Sequence, residues 1–254
     1  MKKTNLKTAG ILLFIAATTT TAGTKQYTVK SIEVTRVEMD VAWEPVENTE
    51  MRTLVDSLRT KMFAGTQTVI GTAEQILTKG KPQSLLGNFT ADVIFDYATG
   101  LWGHVDFAVT NMGGIRSSLN QGAITIGNMY EIFPFNNRIV LLELQGQTVN
   151  EFFNSIAQRE GEVLSKNIEA VIKDKSLLSL KIGGEAIDEN KIYLVATVDY
   201  RAEGHAGVGV LTKAVKVTDS NMLIRDVLTE YIKRQTAENK TIDAHLDNRI
   251  TILQ

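Results

Sequence analysis

The stretch VTNMGGIRSSL, residues 109–119, runs from alternating apolar residues into Asn111, the pair Gly113-Gly114 and then Arg116. Glycine loses more chain entropy on folding than any other residue. Adjacent glycines between a strand and a charged side chain therefore mark backbone that takes φ > 0 or lies close to another group. Two residues beyond the pair, Arg116 can present a planar donor fork to a carboxylate, a ribose hydroxyl or a phosphate. A tight strand exit with Arg116 solvated or salt-bridged fits the same residues. In IFPFNN (132–137), Pro134 and the two asparagines end regular structure, yet Phe133 and Phe135 are strongly apolar and at least one must find cover. VDYRAEGHAG (198–207) also ends a strand on an aromatic, Tyr200, before a glycine-containing loop. Two aromatics on strand-end loops can sandwich a flat ring such as a nucleobase, where stacking contributes about 1–3 kcal/mol per base. Core packing accounts for the same pattern, and these residues alone do not separate the two readings.

Other chemistries find less support. A two-metal hydrolytic centre needs a dense set of His, Asp and Asn ligands on converging loops. The three histidines, His104, His205 and His245, stand apart from one another and read as surface or turn residues. There is no cysteine, and no serine sits in a G-x-S-x-G turn, so no nucleophilic triad is in view. Gly113-Gly114 lacks the following Lys-Ser/Thr of a P-loop and the spacing of a dinucleotide fingerprint.

The elements that must position these residues follow from periodicity. Met51, Leu54, Val55, Leu58 and Met62 share one helical face behind a cap at Asn48 or Thr49. Leu86, Phe89, Val93 and Tyr97 mark a second helix, Val149, Phe152, Phe153 and Ile156 a third, and Ile224, Val227, Leu228 and Tyr231 a late one. Strands are expected around Ile32 and Val34, at Val105–Val109, AITI (123–126), RIVLLEL (138–144), LLSLKI before a turn at Gly183-Gly184, Lys191–Val198 and RITIL (249–253). Helices and strands interleave while several strands pair by hairpins. That mixture points to α+β layers rather than a doubly wound parallel sheet.

The chain of 254 residues is 43% hydrophobic and 22% charged with a formal net charge of -2, ordinary for a globular protein and without the basic run that nucleic acid would need as a main partner. Residues 1–23 combine Lys2, Lys3 and Lys7 with an apolar stretch from Ala9 to Ala17 and then small residues, which reads as a cleavable signal peptide. The stretch falls short of the roughly 20 residues of a membrane span, so no membrane anchor is expected. Residues 24–254, with three prolines and no low-complexity linker, read as one domain, periplasmic or secreted.

LLGNFTADVIFDY, VTNMGGIR, ITIGNMYEIFPFNN, VLLELQGQTV, IYLVATVDYRAEGHAG and DNRITIL stand in an order that resembles the C-terminal domain of the 5'-nucleotidases, a family that includes UDP-sugar hydrolases and 2',3'-cyclic-nucleotide phosphodiesterases. The likeness covers residues 25 to 254, and NxGGIR followed by PFxN is its more specific part. The resemblance implies a four-layer α/β/β/α sandwich with mixed sheets that holds the nucleoside part of a nucleotide. Phosphate-ester hydrolysis in that family belongs to a separate N-terminal domain with two divalent metal ions. Asn111 and Arg116 match the Asn and Arg of the N-G-G-G-I-R motif, with Gly113 and Gly114 passing backbone close to the pocket. Phe135 matches one stacking aromatic, Asn137 a polar neighbour, and Tyr200 the second aromatic.

The sequence departs from the family pattern at two places. The family loop runs aromatic-x-x-x-G-G-D-G, its Asp binding the ribose hydroxyls, whereas here His205 replaces the second Gly and Ala206 the Asp, with Glu203 as the candidate substitute. Gly80 and Gln83 stand at the Arg and Glu of R-x-x-E-x-x-x-G-N, with Lys79 and Lys81 nearby, so the phosphate-side contacts change too. The leader runs almost directly into this domain, so the expected arrangement is the substrate-binding half of a split phosphohydrolase, with no cofactor of its own and a separate metallophosphoesterase chain carrying the metals. An independent nucleoside-type binding protein, or an interaction domain with no hydrolase role, is the alternative.

Overall fold

The computed structural model describes residues 48–253 except Val208. The leader and the strand expected around Ile32 and Val34 lie outside the described residues, as does the side chain of Met62. The chain runs through α1 (Thr49–Thr66), β1 (Val69–Ala73), α2 (Leu85–Trp102), β2 (Phe107–Thr110), β3 (Gly122–Thr125), α3 (Ile126–Ile132), β4 (Arg138–Gln145) and α4 (Gly146–Gln158). It continues as β5 (Val163–Leu164), β6 (Ile168–Lys173), β7 (Ser176–Ile182), β8 (Glu185–Ala186), β9 (Ile192–Val198), α5 (Asp199–Ala202), β10 (Lys216–Leu223), α6 (Ile224–Ala237) and β11 (Ile250–Leu253). The helix expected from Met51, Leu54, Val55 and Leu58 forms as α1, but its apolar face is exposed rather than buried.

A five-stranded sheet in the order β10-β4-β9-β2-β5 lies at the centre, and β2 and β9 are its parallel pair. A four-stranded sheet, β11-β6-β7-β8, and a two-stranded one, β1-β3, complete a mixed α+β architecture of the layered kind expected. One core joins Leu86, Ile94, Val227 and Leu228 of α2 and α6 to Ala108, Ile139 and Val198 on one face of the central sheet. A second joins Phe107, Val140 and Val195 on its other face to Phe152 and Phe153 of α4 and to Ala170 and Leu180 of the four-stranded sheet. Because β2 is buried on both faces, all four of its residues are buried, and the alternation expected there does not hold.

The sheet register brings the chemistry-bearing loops together. β2 and β9 run parallel, with Ala108 opposite Ala196, so the segments after both strands leave the sheet at one end. β4 is antiparallel to β9, with Ile139 opposite Val198, so the loop that precedes β4 arrives at that same end. β10 pairs Leu223 with Arg138, which starts α6 there as well. VTNMGGIR, IFPFNN and VDYRAEGHAG are thereby gathered beyond the carboxyl ends of two parallel strands, a common place for ligand crevices in such sheets.

Candidate functional site

Asn111 follows β2 directly and caps a short 3-10 turn, Met112–Gly114, without donating or accepting a capping bond through its side chain. It is buried, and its Oδ1 finds no donor among the described residues. The two glycines lie close to the Asn111 side chain, and their φ is ordinary. A Cβ on Gly114 would stand 3.2 Å from Asn111 Oδ1, and one on Gly113 3.4 Å from its Nδ2. Arg116 is exposed, its Nη1 donating to Gly113 O at 3.2 Å and its guanidinium lying 5.9 Å from the centre of the Phe135 ring.

The two phenylalanines of IFPFNN divide the roles that the sequence left open. Phe133, at the C-terminus of α3, is 4% exposed and belongs to the first core, while Phe135 is 47% exposed. α3 itself starts at a reciprocal cap, in which Thr125 Oγ1 accepts from Asn128 N and Asn128 Oδ1 accepts from Thr125 N. Arg225, buried in the first turn of α6, pins the loop through Nη1 to Phe133 O (2.9 Å) and Nη2 to Asn136 Oδ1 (3.1 Å), with its guanidinium 4.1 Å from the Tyr130 ring centre.

Tyr200 lies in the short helix α5 rather than in a loop, and its ring is 42% exposed. The turn after it passes through Gly204, Ala206 and Gly207, all at positive φ. Arg159 Nη1 holds Ala206 O at 2.8 Å. The neighbouring Arg201 points the other way, fully buried, its Nη1 2.9 Å from Glu162 Oε2. Glu162 Oε1 accepts from Met112 N at 2.8 Å, so a single carboxylate ties the Asn111 loop to the Tyr200 helix. Burial pulls the Arg201 pKa down while Glu162 works against it. An arginine stays charged even so.

A cavity of about 330 Å³ is lined by Asn111, Gly113, Gly114, Arg116, Phe135, Asn137, Tyr200 and Ala206. All seven residues singled out in the sequence, together with Ala206, therefore meet around one space. Among the described residues, that lining holds one cation, two part-exposed aromatic residues and amide groups, and no carboxylate. It can stack a flat ring and offer a guanidinium to an anion.

The other residues weighed in the sequence do not line this cavity. Glu203 does not line the cavity; its Oε2 lies 3.6 Å from His205 Nε2 on the outside. The amines of Lys79 and Lys81 donate to Ile115 O (2.7 Å) and Arg159 O (2.5 Å), and Gln83 donates to Asp247 O. The three histidines are exposed, each beside a carboxylate two residues away. Among the described residues no three His, Cys, Asp or Glu side chains gather as a metal site requires, and no helix is long and apolar enough to cross a membrane. A larger groove of about 540 Å³ between α2 and α6, beside Tyr97 and Tyr231, lies away from these loops. Periodicity does not single out Glu162, Arg201 and Arg225. Only their placement within or beside apolar stretches hints at burial.

The model of the family described as "5'-nucleotidase, C-terminal domain" matches residues 69–213. The chain is 32% identical over 135 residues to Protein UshA of Escherichia coli K12, a match that takes in 52% of this chain and 24% of that protein. It is 26% identical over 205 residues to Silent protein UshA(0) of Salmonella typhimurium, 79% of this chain and 36% of that one. Among solved structures, a 5'-nucleotidase precursor from Thermus thermophilus superposes with a TM-score of 0.71 at 24% identity, covering 82% of this chain and 44% of the other. The chain thus spans less than half of each of these proteins.

Proposed function

Because this chain belongs to the family of 5'-nucleotidase C-terminal domains, we propose that it is the nucleotide-binding half of an exported phosphohydrolase in nucleotide breakdown. Asn111, Phe135, Asn137 and Tyr200 receive the nucleoside, with Arg116 directed at its anionic side. Two divalent metal ions and the hydrolytic chemistry belong to a separate metallophosphoesterase chain. The observation that carries this reading is the cavity itself: two aromatic residues left 47% and 42% exposed, one on the loop before β4 and one on α5, with a buried amide oxygen that has no partner among the described residues. Exposed aromatic area is costly in water, and a stacked ligand recovers that cost. A cavity of about 330 Å³ is in the range that small-molecule sites occupy, about 300–1,000 Å³.

The test is calorimetry of the mature chain with adenosine and AMP, followed by capture of partners from the native exported fraction. Binding together with a co-purifying metallophosphoesterase, and phosphate release only when both are present, supports the reading. Binding with no such partner favours the independent binding protein. Phosphate release by the pure chain with divalent metal would overturn the division of labour.

A further inference from the structure

His205 does not line the cavity, yet its imidazole stacks on the Tyr200 ring, with centroids 4.7 Å apart and planes 24° from parallel. Tyr200 itself does line the cavity, and His205 lies against its ring. The backbone is built for this contact. Gly204 at φ 85, Ala206 at φ 59 and Gly207 at φ 74 surround His205 with left-handed turns, and His205 N donates back to Tyr200 O at 3.3 Å. Outside the stack, Glu203 Oε2 lies 3.6 Å from His205 Nε2, at the edge of the imidazole.

We propose that His205 is the positioning residue for Tyr200, holding the tyrosine ring in its stacking orientation before any ligand arrives. The proposal rests on the reading of the cavity as a nucleoside site. A tyrosine 42% exposed on a four-residue helix would otherwise sample several rotamers, and a ligand that stacks on it would bear the entropy of fixing it. A flat ring already seated against the tyrosine removes that cost in advance, and offset-stacked aromatic pairs are attractive in their own right. His205 thereby acts on affinity without touching the ligand.

The experiment uses the whole mature chain, adenosine as the probe, and four variants: His205→Ala, His205→Phe, Tyr200→Ala and His205→Ala combined with Tyr200→Ala. His205→Ala should weaken adenosine binding about three- to tenfold. His205→Phe, which keeps a flat ring, should return affinity to within about twofold, and His205→Ala should have almost no further effect once Tyr200 is gone. Proton NMR of the free chain supplies a readout that needs no ligand: the His205 ring protons should carry an upfield ring-current shift that Tyr200→Ala abolishes. If Tyr200→Ala weakens binding while His205→Ala does not, the positioning role is overturned and the nucleoside site survives. Lack of any ring-current shift overturns it as well. If wild type binds neither adenosine nor AMP, the site reading falls and the positioning role falls with it.

Discussion

Arg201 Nη1 stands 2.9 Å from Glu162 Oε2, with side chains 0% and 7% exposed, and the other oxygen of that carboxylate accepts from Met112 N and Val163 N. The loop after β2 and helix α5, which both line one cavity, are thus held to a common buried group. Arg201 is further enclosed by Phe152, whose ring centre lies 5.5 Å from the guanidinium. The pair fixes the spacing between Asn111 and Tyr200 from beneath.

Breaking this pair on one side leaves a charge stranded out of water. Glu162→Gln should therefore cost about 3–5 kcal/mol of stability, since an uncompensated buried charge is far worse than no charge at all. The double variant Glu162→Gln with Arg201→Met keeps an acceptor for Met112 N while removing the stranded cation. It should recover at least half of the loss. Urea unfolding of the three proteins decides this, and a Glu162→Gln variant within about 1 kcal/mol of wild type would contradict it.

The two phenylalanine environments predict opposite outcomes. Phe135→Ala should change stability by well under the cost of a core truncation, because nearly half of the ring is already in water. It should weaken adenosine binding by about 1–3 kcal/mol. Phe153→Ala, in the fully buried second core, should cost about 3–5 kcal/mol of stability. Thermal unfolding and calorimetry on both variants separate the roles. A Phe135→Ala chain that unfolds as readily as Phe153→Ala would return Phe135 to the core.

Gly114 tests whether the glycine pair serves the buried amide. A methyl group there meets Asn111 Oδ1 at 3.2 Å, and Asn111 has little room to yield because it is itself buried. Gly114→Ala should lower adenosine affinity by about tenfold or more, corresponding to a loss of about 1.4 kcal/mol. Gly80→Ala, which meets nothing within 4 Å, is the control and should change neither binding nor stability. Equal behaviour of the two variants would remove the glycine pair from the site.

How much of this is legible in the sequence depends on how far apart the interacting residues lie. Phe135 and Tyr200 can be found because each follows or precedes a strand locally, and the apolar periodicity of α2, α4 and α6 is a property of neighbouring residues. Glu162 reaches Arg201 across 39 positions and Met112 across 50, and Arg225 reaches Phe133 across 92, so no local pattern announces them. β1 escapes the periodicity because Gly71 interrupts its pattern; a Cβ there would come within 2.6 Å of Ile232 Cγ2, so the packing of α6 demands the glycine. β6 escapes it because its hairpin turns through Asp174 and Lys175, at φ 48 and 60, without the glycine that usually marks such a turn. The exposed face of α1 shows the converse: periodicity identifies a helix but not what, if anything, lies against it.

Lys191 gives a pH dependence away from the cavity. Its Nζ donates to Asp106 Oδ1 at 2.8 Å, and that hydrogen bond, outweighing partial desolvation, raises its pKa above the ordinary 10.5. For a cation with a raised folded-state pKa, the stabilising contribution is fully present below the unfolded value and is lost as pH rises through the folded one. Wild type should therefore lose stability above about pH 10.5. Lys191→Met should lose less over the same interval. Urea midpoints at intervals from neutral pH to about pH 11 check this, and parallel curves for the two proteins would refute it.

Ala206 carries the prediction about ligand preference. It lines the cavity, no carboxylate among the described residues does, and the candidate Glu203 lies beside His205 outside. Ribose hydroxyls therefore meet no charged acceptor, and wild type should distinguish adenosine from 2',3'-dideoxyadenosine by less than about tenfold, or 1.4 kcal/mol. The backbone at position 206 sits at φ 59, a conformation that aspartate tolerates better than most residues, so Ala206→Asp should be accommodated without rebuilding the turn. The new carboxylate should add about 1.5–3 kcal/mol to adenosine binding through charged hydrogen bonds. Affinity for the dideoxy compound should stay nearly constant, because stacking on Phe135 and Tyr200 does not involve the sugar. Calorimetry with both ligands on both proteins decides the matter. A wild-type preference for adenosine of tenfold or more would mean that an acceptor other than a carboxylate already reads the ribose, and Asn111 Oδ1, a cavity-lining residue's oxygen without a partner among the described residues, is the first to test.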